Sequence, residues 1–378
     1  MYLLEHDAKE LLAARGIAVP AGCLMESAAV AHAASLPSGP WVVKGQIAAG
    51  GRGKAGIIKK AATPREVSDC ARAILGATIK GRAVESLRVE QQVSGAREAY
   101  VGFLLDAASG GVRVILSASG GMDIEHVPRE QIHSELAAPD LQSLTNCVRQ
   151  LARRLPSEIA PAVSESGEKL ARAFLELEAM LIEINPLFVH PDGKWVAGDA
   201  KIVTDDNALP RQAALESLLK ARAAAYPDVA RKHEHGFDYV VVDAEGEIGL
   251  LTTGAGLSMM LIDELRAAGL KPYNFLDIRT GGLRGETRRL TQVLKWIGEG
   301  QKVKVLLVNI FAGITDLGEF ARLLVEATAS APQLKVPVVA RLVGNGLPAA
   351  REVLAAAGIA LHTDLDEALA AVRAQLRK

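Results

Sequence analysis

The sequence predicts an α/β protein of two domains, on three observations. Beyond residue 248, strand-like and helix-like segments alternate regularly, the pattern of a parallel sheet covered on both faces. Before that, a glycine-rich loop and a hairpin-like strand pair sit in a more β-rich region. With 49% hydrophobic residues, 4% aromatics and 35 glycines, the composition suits helices packed on sheets with glycine turns between them. A chain of 378 residues has room for two or three domains at about 100–200 residues each.

In chain order, Glu5 to Ala14 places Ala8, Leu11 and Leu12 on one helical face and stops at Gly16, which predicts an ordinary surface helix. The apolar run Trp41 to Lys44 leads into Gly50 to Gly56 and out through Ile57 and Ile58, a strand, glycine loop, strand arrangement. A helix is expected from Pro64 to Leu75, and strands near Leu87–Val93, Ala99–Leu105 and Val112–Leu116. The segment from Gln142 to Met180 is helical by pattern and feeds the apolar strand 181–184. After the Pro191-Asp192-Gly193 turn, Trp195 to Asp199 completes a hairpin. The polar stretch 226–238 lacks a sustained apolar period and is read as the domain boundary. Strands at Ile248–Thr252, Val303–Asn309 and Val336–Leu342 follow, with helices after Gly256, after Thr315, from Leu347 and up to Gln375.

Charge and composition exclude several classes. Lys and Arg number 43 against 44 Asp and Glu, so there is no basic footprint for nucleic acid. No apolar run approaches the ~20 residues of a membrane helix. Cys23, Cys70 and Cys147 are scattered, which disfavours a disulfide scaffold or zinc site and fits a reducing cytosol. With no leader pattern at its start, the chain is expected to be cytoplasmic.

Two constellations can carry chemistry. The loop Gly50 to Gly56 offers backbone N–H groups, Arg52, Lys54 and the adjacent Lys44, the inventory for holding a polyphosphate. No GK[ST] closes it, so it is not a Walker A loop, and a plain hairpin carries the same glycines. The second is Glu183 and Asn185, on one face of a strand, with Asp199 across the hairpin and Lys201 beyond. Oxygen donors converging there suit Mg²⁺ beside a nucleotide; a solvent-facing sheet edge is the alternative. In the second half, Thr253-Gly254-Ala255-Gly256 and Asn309 to Thr315 each end a strand and open a helix, either as an anion site or as tight turns.

The runs VVKGQIAAGGRGKAGI, Gly120-Gly121-Met122-Asp123-Ile124-Glu125, LIEINPL, DAKIVTDDNAL, TGAGLSM, NFLDI and LLVNIFAGI, with Glu90 and Glu98, occur in the order seen in the β subunit of succinyl-CoA synthetase. From end to end the chain resembles this family of nucleotide-binding subunits of ADP-forming acid–CoA ligases, which also includes malate–CoA ligase. The resemblance implies an ATP-grasp domain over 1–230 and a flavodoxin-like CoA-ligase domain over 231–378. It implies nucleotide binding by Lys44, Gly51, Arg52, Gly53, Glu90 and Glu98, and Mg²⁺ binding by Asn185 and Asp199. Glu183 corresponds to the carboxylate that meets the phosphohistidine loop, and Pro20 resembles ATP users. Thr253, Gly313, Ile314 and Thr315 correspond to acid or phosphate contacts.

In this family the histidine nucleophile and most CoA contacts belong to a partner α subunit. The eight histidines here are accordingly read as structural or solvated. The departures cluster in the acid-binding region: Thr253 stands for Asn, Asp277 to Gly285 for a GGG run, and Thr315-Asp316-Leu317-Gly318 for Arg-Cys-Asp. Arg279 and Arg284 are either new ligands for the small acid or surface arginines. In the glycine loop, Ala48 replaces the common His. The acid is succinate, malate or another small anion. A single-chain ATP-grasp ligase and a non-catalytic assembly subunit are the competing functions.

Overall fold

The computed structural model describes residues 1–26, 36–48, 51–79, 82–122, 124–278, 287–313 and 315–377. Arg279, Arg284 and Ile314 lie outside the described residues. The chain divides into two compact units, Met1–Ala221 and Arg222–Lys378.

The first unit runs α1 (Glu5–Ala13), β1 (Gly22–Met25), β2 (Trp41–Gln46), β3 (Ile58–Ala61), α2 (Pro64–Ile74), β4 (Thr78–Ile79), β5 (Arg82–Ala83), β6 (Ser86–Gln91), β7 (Arg97–Asp106), β8 (Gly111–Ser117) and β9 (Ile132–Ala137). It continues through α3 (Leu141–Ala152), α4 (Ala160–Glu176), β10 (Ala179–Val189), β11 (Trp195–Ala197), β12 (Lys201–Thr204) and α5 (Ala213–Ala221). Among the described residues one antiparallel sheet is ordered β1-β6-β2-β3. Its core face holds Val43, Leu87 and Val89 against Val67, Ala71 and Ile74 of α2. Thr63 starts α2 by accepting the Glu66 N–H, and Pro64 supplies a preset φ at the first turn.

A larger sheet is ordered β11-β10-β7-β8-β9, with β12 also pairing with β10. Phe103 of β7 meets Phe174 of α4 with ring centroids 5.9 Å apart. Gly167 lets α3 and α4 approach, since a Cβ there would lie 2.7 Å from Val148. Glu183 and Lys201 are register partners on β10 and β12, so the expected hairpin has a third strand. The strand expected to reach Asp199 ends at Ala197, and Asp199 lies in the link to β12. Gly198 makes that link possible: a Cβ would fall 2.3 Å from the Phe188 ring and 2.9 Å from the Pro186 carbonyl.

The second unit comprises α6 (Pro227–His235), β13 (Asp238–Val241), β14 (Ile248–Thr252), α7 (Ala255–Ala267), β15 (Asn274–Asp277), α8 (Arg288–Gly298), β16 (Val305–Ala312), α9 (Leu317–Ala329), β17 (Val338–Gly344), α10 (Leu347–Ala356), β18 (Ala360–His362) and α11 (Leu365–Leu376). Strands β14, β16, β17 and β18 pair in parallel in that order. The expected α/β architecture is therefore present. Leu250 and Leu307 pack with Leu261 of α7 and Val372 of α11, whereas Leu306 and Val308 face a separate core with Leu294 of α8 and Leu324 of α9. Asn274, fully buried on β15, stitches that strand beside β14: its Oδ1 accepts from Leu250 N and its Nδ2 donates to Leu250 O.

Three local expectations change. The polar stretch 226–238 contains helix α6, started by Pro227 and ended by Gly236 at φ +72°; with no buried residue it has no apolar stripe to reveal it. The helical stretch 142–180 is two helices, α3 and α4, separated around Pro156. The surface helix at the start proves to bury Glu5, Asp7 and Lys9.

One glycine is open to a direct test. Gly344, at φ +144°, would place a Cβ 2.0 Å from the Ala312 carbonyl. Gly344→Ala is expected to cost roughly 2–4 kcal/mol from backbone strain and overlap, read as a lowered midpoint in thermal or urea unfolding. A melt superimposable on the parent would show that this backbone moves freely.

Candidate functional site

Alternation along β2 and β6 sends Val43 and Val89 into the core beneath α2 and turns Lys44, Arg88 and Glu90 to the opposite face. α1 supplies the matching charges. Glu5 and Lys9 lie one helical turn apart, and both side chains are fully excluded from solvent.

Glu5 bridges three cations. Its Oε1 accepts from Lys9 Nζ at 2.7 Å and Lys44 Nζ at 2.8 Å, and its Oε2 from Arg52 Nη1 at 2.6 Å. Glu90 accepts from Lys44 at 2.7 Å, Lys9 at 2.7 Å and Arg88 at 2.7 Å. Arg52 continues the lattice to Asp199 with contacts of 2.6 and 2.9 Å from Nη2. The Gly198 carbonyl accepts from both Lys9 and Lys44 at 2.8 Å. Buried charges persist only when paired in this way.

The electrostatics follow from that geometry. Burial works against ionised Glu5, but Lys44, Lys9 and Arg52 outweigh it and hold its carboxyl well below the usual range. Glu90 is likewise lowered, with burial opposed by Lys9 and Lys44. Lys44 is raised, because Glu5 and Glu90 outweigh its desolvation. Lys9 is lowered, chiefly by burial. Tyr2, beside Arg52, Asp199 and Glu183, is pushed up to about 12, first by burial.

The glycine loop turns on itself through Ala55 N to Gly51 O at 3.1 Å and Gly56 N to Gly53 O at 3.1 Å. No described atom lies within 4 Å of a Cβ built at Gly51 or Gly53, so the loop has open space on its glycine side. Lys44 and Arg52 are thus brought together with Glu90 and Asp199, but Arg52 is directed at two carboxylates. Glu183, with 24% of its side chain exposed, lies 4.0 Å from Lys201 Nζ and 3.4 Å from the Tyr100 hydroxyl.

Asn185 sits where the pairing of β10 with β7 shifts register between Ile184 and Leu187. Its Oδ1 accepts from Gly121 N at 2.7 Å, and its Nδ2 donates to Met122 O at 2.8 Å. Glu98 is drawn to the same corner, since a Cβ on Gly121 would meet its Oε2. Asp199 and Asn185 are hard oxygen donors of the type that suits Mg²⁺. Asn185 Oδ1 keeps acceptor capacity beyond Gly121 N, and Asp199 beyond Arg52 Nη2 and Ala200 N, with 28% of the Asp199 side chain exposed. The donor chemistry therefore fits a divalent cation.

In the second unit, Thr253 and Gly313 follow the carboxyl ends of adjacent parallel strands, β14 and β16. Both helix starts are partly occupied by the chain's own carboxylates. Gly254 N donates to Asp277 Oδ1 at 2.8 Å, and Asp316 caps α9 by accepting from Glu319 N at 2.8 Å. Thr315 lies half-buried just before that cap.

Sequence reasoning missed Tyr2, Glu5, Lys9, Arg88 and Tyr100. For α1 a signal existed: Glu5 and Lys9 fall one turn apart on the same side as Ala8 and Leu12, so they share the buried stripe.

Loss of one partner from this lattice leaves buried charge unpaired, so Glu5→Gln is expected to cost about 3–5 kcal/mol at neutral pH in urea unfolding. Acid acts through the same groups. Because the Glu5 and Glu90 carboxyls sit lower in the folded than in the unfolded chain, their stabilisation is present above the ordinary carboxylate value and lost as pH falls below it. The unfolding midpoint should fall below about pH 4.5, and less steeply in Glu5→Gln. Parallel acid limbs in the two proteins would locate the acid sensitivity elsewhere.

Comparison with known proteins bears on both units. Residues 2–189 match the ATP-grasp domain family, and residues 251–375 match the CoA-ligase family. The chain is 39% identical over 388 aligned positions to the succinate–CoA ligase [ADP-forming] subunit β of Chloroflexus aurantiacus, covering 100% of both chains. It is 37% identical over 387 positions to that of Chloroflexus aggregans, again covering 100% of both. Among solved structures, ATP citrate lyase from Methanothrix soehngenii, in complex with citrate and coenzyme A, aligns with a TM-score of 0.70 at 18% identity. That alignment covers 96% of this chain and 95% of the other, and shows a shared fold. With full-length identity at this level and both domain families matched in order, the chain belongs to the family of succinate–CoA ligase (ADP-forming) β subunits.

Proposed function

We propose that this chain is the β subunit of an ADP-forming succinate–CoA ligase, acting with an α subunit that carries the phosphorylated histidine and most CoA contacts. The observation that carries the reading is the convergence of Lys44, Arg52, Glu90 and Asp199 beside an open glycine loop, in a chain of this family. Residues 1–230 form the nucleotide half and 231–378 the CoA-ligase half, and the protein works in the cytoplasm.

Lys44, Gly51, Arg52, Gly53, Glu90 and Glu98 bind ATP, with the loop backbone and the Lys44 ammonium oriented toward the phosphates. Asn185 and Asp199 hold Mg²⁺. The cation, when bound, neutralises phosphate charge and fixes the geometry of phosphoryl transfer. Glu183 lies on the same strand as Asn185, with Lys201 and Tyr100 nearby. There it orients the partner's histidine for the phosphoryl group. The histidine then passes that group to the acid, giving an acyl phosphate from which CoA thiolate displaces phosphate. Catalysis by this chain is chiefly positioning and charge stabilisation. Thr253, Gly313, Ile314, Thr315 and Arg279 contact the acid or phosphate.

A second reading keeps the chemistry and replaces succinate by another small acid, such as malate. It is favoured by the departures at the helix starts of the second unit, where Thr253 precedes the first and Asp316 caps α9.

The test is to co-express the chain with an α-type partner and screen small acids for CoA-dependent ADP release. Glu183→Gln is expected to lower turnover at least 100-fold while MgADP affinity changes less than threefold. Full turnover in that variant, or activity without any partner, would overturn the assignment.

A further inference from the structure

Resting on the nucleotide-binding reading above, the geometry assigns to Lys9 the role of a positioning residue that keeps Lys44 available to phosphate. Lys9 and Lys44 share the same acceptors. Each ammonium contacts Glu5 Oε1, a Glu90 carboxylate oxygen and the Gly198 carbonyl, at 2.7–2.8 Å. They differ in outlook, with 0% of the Lys9 side chain exposed and 9% of Lys44. Lys9 is therefore an internal counter-ion, whereas Lys44 keeps a small solvent-facing surface beside the loop residue Arg52, with which it shares Glu5.

Among the described residues the lattice joins the cations Lys9, Lys44, Arg52 and Arg88 to the carboxylates Glu5, Glu90 and Asp199, with Glu10 meeting Arg88 at its exposed edge. Without Lys9, Glu5 and Glu90 would bear on Lys44 with no second ammonium between them. Lys9 also pins both carboxylates and the Gly198 carbonyl, fixing Lys44 in one position. An ammonium that merely braced α1 against the sheet would have no bearing on affinity for an anion.

The experiment uses the full chain co-purified with its α-type partner and compares the parent protein, Lys9→Met and the charge-retaining variant Lys9→Arg. MgADP affinity is measured by calorimetry and cooperative folding by thermal melting. Lys9→Met is expected to weaken MgADP binding at least tenfold, and to raise the Michaelis constant for ATP with turnover at saturation within threefold. Lys9→Arg keeps a cation against the same acceptors, so it should hold affinity to within threefold of the parent. Unchanged MgADP affinity in Lys9→Met, or a Lys9→Arg variant that binds no better than Lys9→Met, would overturn the proposal. If neither variant melts cooperatively, Lys9 serves structure alone and the proposal fails. A parent complex that binds no MgADP would instead overturn the nucleotide reading itself, and this proposal with it.

Discussion

Glu5 holds three cations at once, and the geometry of the first unit turns on that contact. Its two oxygens reach Lys9 on its own helix, Lys44 on β2 and Arg52 in the glycine loop. A carboxylate whose side chain has no solvent exposure has no alternative partner in water, so its preference for this position is strong and directional. Lys44 is thereby fixed on the same carboxylate as Arg52 of the loop. Arg52 is fixed against Asp199, and α1 is tied to β2 and β6 through Lys44 and Glu90. Such pairs contribute modestly to net stability compared with a hydrophobic replacement, but they specify a single arrangement of the charges.

The apolar architecture was largely legible. The glycine loop between strands, the helix at Pro64 and the parallel strands at Ile248, Val303 and Val336 follow from period, turn residues and composition, because burial imposes those patterns directly. What escaped was structure whose cause lies elsewhere in the chain. β9 is an edge strand with no buried residue, and α6 buries none, so neither shows a clear stripe. The third strand, β12, depends on Gly198 passing beside Phe188, a tertiary contact with no local sign.

The candidate site was legible in part for a similar reason. Lys44, Arg52, Glu183 and Asp199 stand beside recognisable loops and strands, and motif resemblance reaches them. It reaches Glu90 as well, but not Glu5, Lys9 or Arg88. Arg88 and Glu90 alternate on β6, and nothing local says that their face is buried beneath α1, whose Lys9 lies 81 residues before Glu90. A charged residue on a helix is ordinarily solvated, and only the assembled lattice reverses that expectation.

The Gly198 carbonyl, which accepts from both ammonium groups, links two things usually treated as separate. Gly198 is followed directly by Asp199, so the backbone beside the proposed cation ligand is tethered to Lys44, the ammonium proposed for phosphate, and to Lys9 behind it. A shift of this shared carbonyl on occupancy of one place changes affinity at the other, and by reciprocity to the same extent in both directions. Cation and nucleotide are consequently expected as a thermodynamically coupled pair, with each one's apparent affinity a function of the other's concentration.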